Sequence, residues 1–201
     1  MAVRRRCALI LAPPAIALWL CGGPALAEPL ASPVSLGELM ASLASVAARQ
    51  ANFTEEKHLA ALDRPLLSSG ELHYRRPSFL EKLTQVPRRE RLIVDGDRLT
   101  MTDPATGADR VMDLASTPEV SGLVDLVRGT LAGDLAALQR HYRVTVDGTA
   151  RSWRLSLTPT EAGLAGFIRV VRIDGEGTEP RVIDTVEANG DWSRMIIDPV
   201  H

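Results

Sequence analysis

Apolar and polar positions along the chain change their period twice, and the changes divide it into helical and extended stretches. Leu36, Leu39, Met40, Leu43, Val46 and Ala47 recur at helical spacing with polar residues between them. Ser35 followed by Glu38 has the spacing of a capping box, so the pattern predicts a helix of roughly four turns with one apolar stripe. From Asn52 onward short runs alternate between turn signals such as Asp95-Gly96, Thr106-Gly107, Asp147-Gly148 and Asn189-Gly190. They predict strands near 53–61, 70–76, 79–85, 90–95, 98–102 and 109–113, then 141–147, 151–158, 166–173, 181–187 and 192–197. Trp153, Leu155 and Leu157 alternate with Ser152, Arg154 and Ser156, which predicts one apolar and one wet face.

A helical interlude separates the two strand blocks. Thr117-Pro118 reads as a cap with a first-turn proline, and Val120, Leu123, Val124 and Val127 follow at helical spacing. After Gly129 a second stripe of Leu131, Leu135 and Leu138 predicts another short helix. The order is helix, about six strands, two helices, about five strands. It predicts an α+β fold with a large curved antiparallel sheet and helices on its apolar face.

The first 27 residues stand apart from this pattern. Arg4, Arg5 and Arg6 precede an apolar stretch from Cys7 to Leu20, and Ala25-Leu26-Ala27 is a small-x-small cleavage pattern. Pro13 and Pro14 interrupt the stretch, which is short for a membrane helix of about 20 residues. The segment is read as a cleaved signal peptide, leaving residues 28–201 as one exported domain, which is compatible with a bacterial periplasm. Leu20 sits where a lipid-anchoring signal wants a small residue, so Cys21 is assigned to the leader and the mature protein to solution. Cys7 and Cys21 are the only cysteines, so the mature chain has no thiol, disulfide or zinc–cysteine site. The leader removes three arginines and no acid, making the remainder more acidic than the full chain's −2. Such a balance argues against nucleic acid as a partner.

Signatures of chemistry are missing. No G-x-S-x-G elbow and no phosphate-binding loop occurs. His58, His73, His141 and His201 are scattered singly, and Asp95, Asp97 and Asp103 lack the ligand spacing of a calcium loop. Glu55 with Glu56, or Asp184 with Glu187, could pair as acid and base, yet solvated strand faces explain them more simply. No enzyme, metal or cofactor is expected.

One segment stands out. In Gly70-Glu71-Leu72-His73-Tyr74-Arg75-Arg76-Pro77, alternation places Leu72, Tyr74 and Arg76 on one face. Arg76 either finds acceptors there, such as carbonyls of a facing helix, or swings out to water after Pro77 ends the strand. Together with Phe53-Thr54-Glu55, Val94-x-Gly96-x-x-Leu99, Trp153-x-Leu155-x-Leu157-x-Pro159 and Asn189-Gly190-Asp191-Trp192-Ser193, this segment resembles the LolA family of periplasmic outer-membrane lipoprotein carriers. The resemblance implies an incomplete, unclosed β-barrel of about 11 strands whose mouth is plugged by helices, holding acylated cargo in between.

By that resemblance Arg76 is the latch that bonds to the helical lid, and Leu43 packs in the lid. Candidates for lining the cavity are Leu39, Leu72, Tyr74 and Leu123, with Val127, Trp153 and Leu155. The implied partners are an acylated lipoprotein or lipid, an inner-membrane donor complex and an outer-membrane acceptor, the carrier being a monomer. The chain departs from the family where Glu55 replaces a usual glutamine and where Phe79-Leu80 lacks a second aromatic. The family's extension beyond the last strand also has no counterpart before His201. These departures suggest a divergent branch carrying a glycolipid or another acylated molecule. Domains of this shape also serve envelope sensors, so a regulatory lipid-binding domain is the alternative.

Overall fold

Ser35 opens the first helix as its spacing predicts. The Ser35 hydroxyl accepts from the Glu38 N–H at 3.2 Å, and the Glu38 carboxylate accepts from the Ser35 N–H at 2.9 Å. The same hydrogen bonds hold the Glu38 carboxyl below its usual pKa. The helix, α1 (Leu36–Ala44), is nine residues long and stops before Val46 and Ala47. Pairing with the sheet overrides the helical stripe there: Ala47 O accepts from Arg76 N at 2.9 Å, and Ala48 pairs with Arg75. The computed structural model describes residues 32–103 and 105–200, and the expected signal peptide over residues 1–27 lies outside them.

All eleven predicted strands form. The first block is β1 (Ala48–His58), β2 (Leu66–Arg75), β3 (Phe79–Val86), β4 (Glu90–Asp95), β5 (Arg98–Thr102) and β6 (Asp109–Asp113). The second is β7 (Tyr142–Gly148), β8 (Trp153–Pro159), β9 (Ile168–Glu176), β10 (Glu179–Glu187) and β11 (Trp192–Pro199). Each block is an antiparallel meander, and β1 pairs with β11 to join them. The result is one 11-stranded sheet in the order β6-β5-β4-β3-β2-β1-β11-β10-β9-β8-β7. Its edge strands β6 and β7 do not pair with each other, so the sheet is curved but not closed.

The chain passes from one edge to the other through a 3-10 turn at Leu114–Ser116, then α2 (Pro118–Ala132) and α3 (Leu135–His141). Pro118 lies in the first turn of α2 as expected, although the Thr117 side chain makes no capping bond to the helix. Gly129 does not end α2, and Leu131, predicted for the next helix, is in its last turn. A Cβ at Gly129 would lie 2.8 Å from Leu138 Cδ2, so the missing side chain admits α3. A short helix α4 (Ala162–Ala165), which the spacing did not predict, packs beside α2.

Gly133 ends α2 in the left-handed region at φ 66°. A Cβ there would meet Met40 O at 2.1 Å and Ala44 Cβ at 2.8 Å, so the ends of α1 and α2 approach as closely as backbone allows. The packed interior forms two clusters. One gathers Leu39 and Leu43 of α1, Leu126 of α2 and Leu138 of α3 on Tyr142, Leu155, Leu157 and Ile173 of the second block. The other gathers Val94, Leu99 and Leu114, with Val120 and Val124 of α2 against them. Only α2 contributes to both.

Replacing Gly133 with alanine sets a Cβ against Met40 O and strains a left-handed residue. The expected loss is about 1–3 kcal/mol, read as a lower urea midpoint with an unchanged slope. An unchanged midpoint would mean that the α1–α2 junction yields freely.

Candidate functional site

Between the two packed clusters lies a cavity of about 410 Å³. Its floor is the concave face of the sheet and its roof is α2. The floor follows from strand alternation and register: Ala51 pairs with Leu72 and with Pro199, Leu72 with Lys82, and Lys82 with Leu92. Leu72, Leu92 and Val94 face the cavity from the first block, Ile183 from the second, and Leu123 and Val127 from α2. Leu123 is 37% exposed, so the space reaches solvent beside α2.

Four of the seven lining candidates, Leu72, Tyr74, Leu123 and Val127, border this cavity. Leu39, Trp153 and Leu155 do not. They belong to the dense cluster that α1 and α3 press onto β7–β9. The Trp153 ring lies flush on Gly175, where a Cβ would come within 2.2 Å of it, and its indole N–H donates to Gly177 O at 2.8 Å. Alternation gave Trp153 and Leu155 the correct face, but direct helix contact, Leu39 of α1 included, makes that part of the face core instead of cavity wall.

Arg76 lies just beyond β2 and its guanidinium turns to the helices. Nη1 donates a short bond to Ala44 O at the end of α1, and Nη2 donates to Ala132 O at the end of α2 at 3.5 Å. Leu43 is fully buried one residue before that first acceptor. A second arginine joins them that the spacing did not single out. Arg49 of β1 donates from Nη2 to Leu43 O at 3.4 Å and from Nη1 to Glu179 Oε1 at 3.0 Å. Its only sequence signal is the alternation Arg49, Ala51, Phe53, which places it on the concave face once β1 is seen to begin at Ala48.

The cavity floor also holds an ion pair. Lys82 Nζ lies 2.6 Å from Glu55 Oε2 and 4.7 Å from the Phe53 ring centroid. Glu55, the position that departs from glutamine, is therefore the counter-ion of Lys82. The other carboxylates considered for acid–base work are likewise engaged: Glu56 with His58 at 2.6 Å, Asp184 with Arg194 at 2.7 Å, and Glu187 with Lys57 at 2.8 Å. Asp103 accepts from the Ala105 and Thr106 N–H groups at 2.7 and 3.0 Å, which lowers its pKa and shapes a turn. Among the described residues no three His, Cys, Asp or Glu side chains gather as a metal would require, and no helix is long and apolar enough to cross a membrane.

A family model described as "Outer membrane lipoprotein carrier protein LolA-like" matches residues 28–199. No curated protein matches the sequence. Among solved structures the chain is similar to a LolA superfamily protein from Nitrosomonas europaea, at 10% identity over 82% of this chain and 92% of that one, with a TM-score of 0.43. It is also similar to the MucA/MucB complex of Pseudomonas aeruginosa, at 16% identity over 81% and 55%, with a TM-score of 0.47. A DUF1329 family protein from Desulfovibrio piger matches at 10% identity over 83% and 89%, with a TM-score of 0.44.

Core and cavity wall separate in a pair of truncations. Leu155→Ala, at a position with 0% exposure, should cost about 2–5 kcal/mol of stability. Leu123→Ala should cost under about 1 kcal/mol while weakening uptake of a fluorescent fatty acid. Urea unfolding and probe titration of both variants test this, and equal stability losses would contradict the division.

Proposed function

We propose a function for this chain, which belongs to the LolA-like family of outer membrane lipoprotein carrier proteins. It is exported by its leader to the periplasm. There it holds the acyl chains of a lipoprotein or related lipid between sheet and helices, and ferries them from an inner-membrane donor to an outer-membrane acceptor. It is a binding protein without turnover. The observation that carries this reading is the apolar cavity of about 410 Å³, which lies within the range of small-ligand sites, about 300–1,000 Å³.

The energetics favour a latched carrier. Burying an acyl chain yields about 0.8 kcal/mol per methylene, so fourteen methylenes give about 11 kcal/mol before any cost. Unopposed, that would hold cargo too tightly for handover. Arg76 holds the ends of α1 and α2 together through its bonds to Ala44 O and Ala132 O. Cargo that parts the helices must break them, which returns part of the binding energy and makes release feasible.

Native mass spectrometry of the protein purified from the periplasm of a Gram-negative host, followed by organic extraction, tests the carrier role. Co-purifying acylated species that leave on mild denaturation are expected. A clean mass that also ignores added fatty-acyl probes would remove the carrier reading. In the same assay Arg76→Leu should release bound acyl cargo more slowly, on the order of tenfold for one charge-assisted hydrogen bond. Release as fast as the parent's would show that Arg76 is not a latch.

A further inference from the structure

Three buried side-chain polar atoms among the described residues have no hydrogen-bond partner: Arg49 Nε, the Tyr74 hydroxyl and Arg181 Nε. Arg181 Nε lies 3.5 Å from Glu176 Oε2, and Arg181 does not border the cavity. The other two sit together. Arg49 and Tyr74 are direct partners in the β1–β2 ladder, and both border the acyl cavity. They also border a second depression of about 510 Å³, which Arg75 and Phe79 help to form. The pair therefore stands where the cavity meets the rim.

Leaving such groups unpaired is expensive. A buried donor without an acceptor forfeits the hydrogen bond it made to water, and a charged one forfeits more. Here two are adjacent, on side chains only 9% and 4% exposed, in a wall that is otherwise largely apolar. Side chains opposite each other in an antiparallel pair have Cβ atoms about 4.5–5.5 Å apart, so both donors belong to one stretch of wall. An arginine Nε–H only donates. Burial pushes the Tyr74 pKa above its usual value, so the hydroxyl stays protonated and donates as well.

The charges nearby decide what kind of oxygen fits. The Arg49 guanidinium is already compensated by Glu179 at 3.0 Å, and Lys82 by Glu55 at 2.6 Å. Arg76, whose charge also acts on Tyr74, is engaged by Ala44 O and Ala132 O at the negative ends of two helices, and Glu179 beside Arg49 would repel an anionic ligand. A neutral acceptor meets neither problem. We infer that Arg49 and Tyr74 form a subsite for the carbonyl oxygen of an acyl ester or amide, so that the cavity recognises the acylated head of its cargo and not hydrocarbon alone. The inference rests on the reading of the cavity as an acyl site. It orients the cargo: the carbonyl sits between β1 and β2, and the tail runs under α2 toward Val94 and Leu99.

Displacement of a fluorescent fatty-acid methyl ester from the mature protein tests the subsite with three competitors. They are methyl palmitate, hexadecyl methyl ether, which keeps the chain and lacks the carbonyl, and palmitate. The parent should bind the ester about tenfold more tightly than the ether, and Tyr74→Phe should bring that ratio close to one. Arg49→Lys, which keeps the positive charge and loses Nε, should lower it too. Tyr74→Phe should unfold at the parent's urea concentration or above, since it removes an unpaired polar group; a lower midpoint would show the hydroxyl already bonded and overturn the assignment. Equal binding of ester and ether by the parent would overturn the subsite while leaving the carrier role intact. Palmitate binding more tightly than the ester would assign the donors to an anion and overturn the carbonyl. A probe that does not bind at all would remove the carrier reading, and this inference with it.

Discussion

The C-termini of α1 and α2 meet at one point, which electrostatics alone would oppose. Each helix end presents unpaired carbonyls with partial negative charge, and at Gly133 the two ends come within backbone contact. The guanidinium of Arg76 lies between them, donating to Ala44 O on one side and Ala132 O on the other. Arg49 adds a further donor at Leu43 O. Both arginines are fixed by strands, Arg49 within β1 and Arg76 just beyond β2, so the centre of the sheet determines where the helices end. Remove this neutralisation and the roof of the cavity loses its anchor.

With that anchor in place, the cavity follows from topology. The sheet is open, and the only link between its edges is the stretch from Asp113 to Tyr142 across the concave face. Its main rod, α2, has 15 residues and is roughly 22 Å long. Val120 and Val124 of α2 join one cluster and Leu126 the other, while Leu123 and Val127 border the cavity. The second block is further filled by α1, α3 and α4, whereas the first block has only α2 and the 3-10 turn above it. The unfilled space therefore lies over β2–β5 and extends across β1 to β11 and β10. Arg128 holds the middle of the roof at a fixed height, donating to Gly96 O in the β4–β5 turn at 2.7 Å.

These same facts explain what could be read from the sequence. The strands were legible because each block is a meander with several tight hairpins, so period-2 runs and turn residues such as Asp95-Gly96 and Asn189-Gly190 carry much of the pairing locally. The end of α1 was not, because Val46 and Ala47 continue its apolar stripe and only pairing with β2 takes them out of the helix. That misplaced boundary also hid Arg49. Which concave residues are core and which are cavity wall was illegible too. Trp153 and Leu72 show the same alternation, and the difference between them is the helix that lands on each. Arg76 was legible as an oddity, a charge on an apolar face, but its acceptors come from two helices distant in sequence.

The polar groups in the cavity bear on what the space is for. Ion pairs that are only partly buried add little to the stability of a fold. Yet the concave face carries two, Glu55–Lys82 and Arg49–Glu179. Glu55 and Arg49 both belong to β1, and their partners stand on β3 and β10. Polarity is thus concentrated along the central strand, while the wall toward β4 and β5 offers Leu92, Val94 and Leu99. A cavity selected only to hold hydrocarbon would gain by replacing these charges with leucines. A cavity with one polar side and one apolar side instead imposes an orientation on a guest that has one polar end. For a carrier this matters at handover, because the same end of the cargo then always faces the rim.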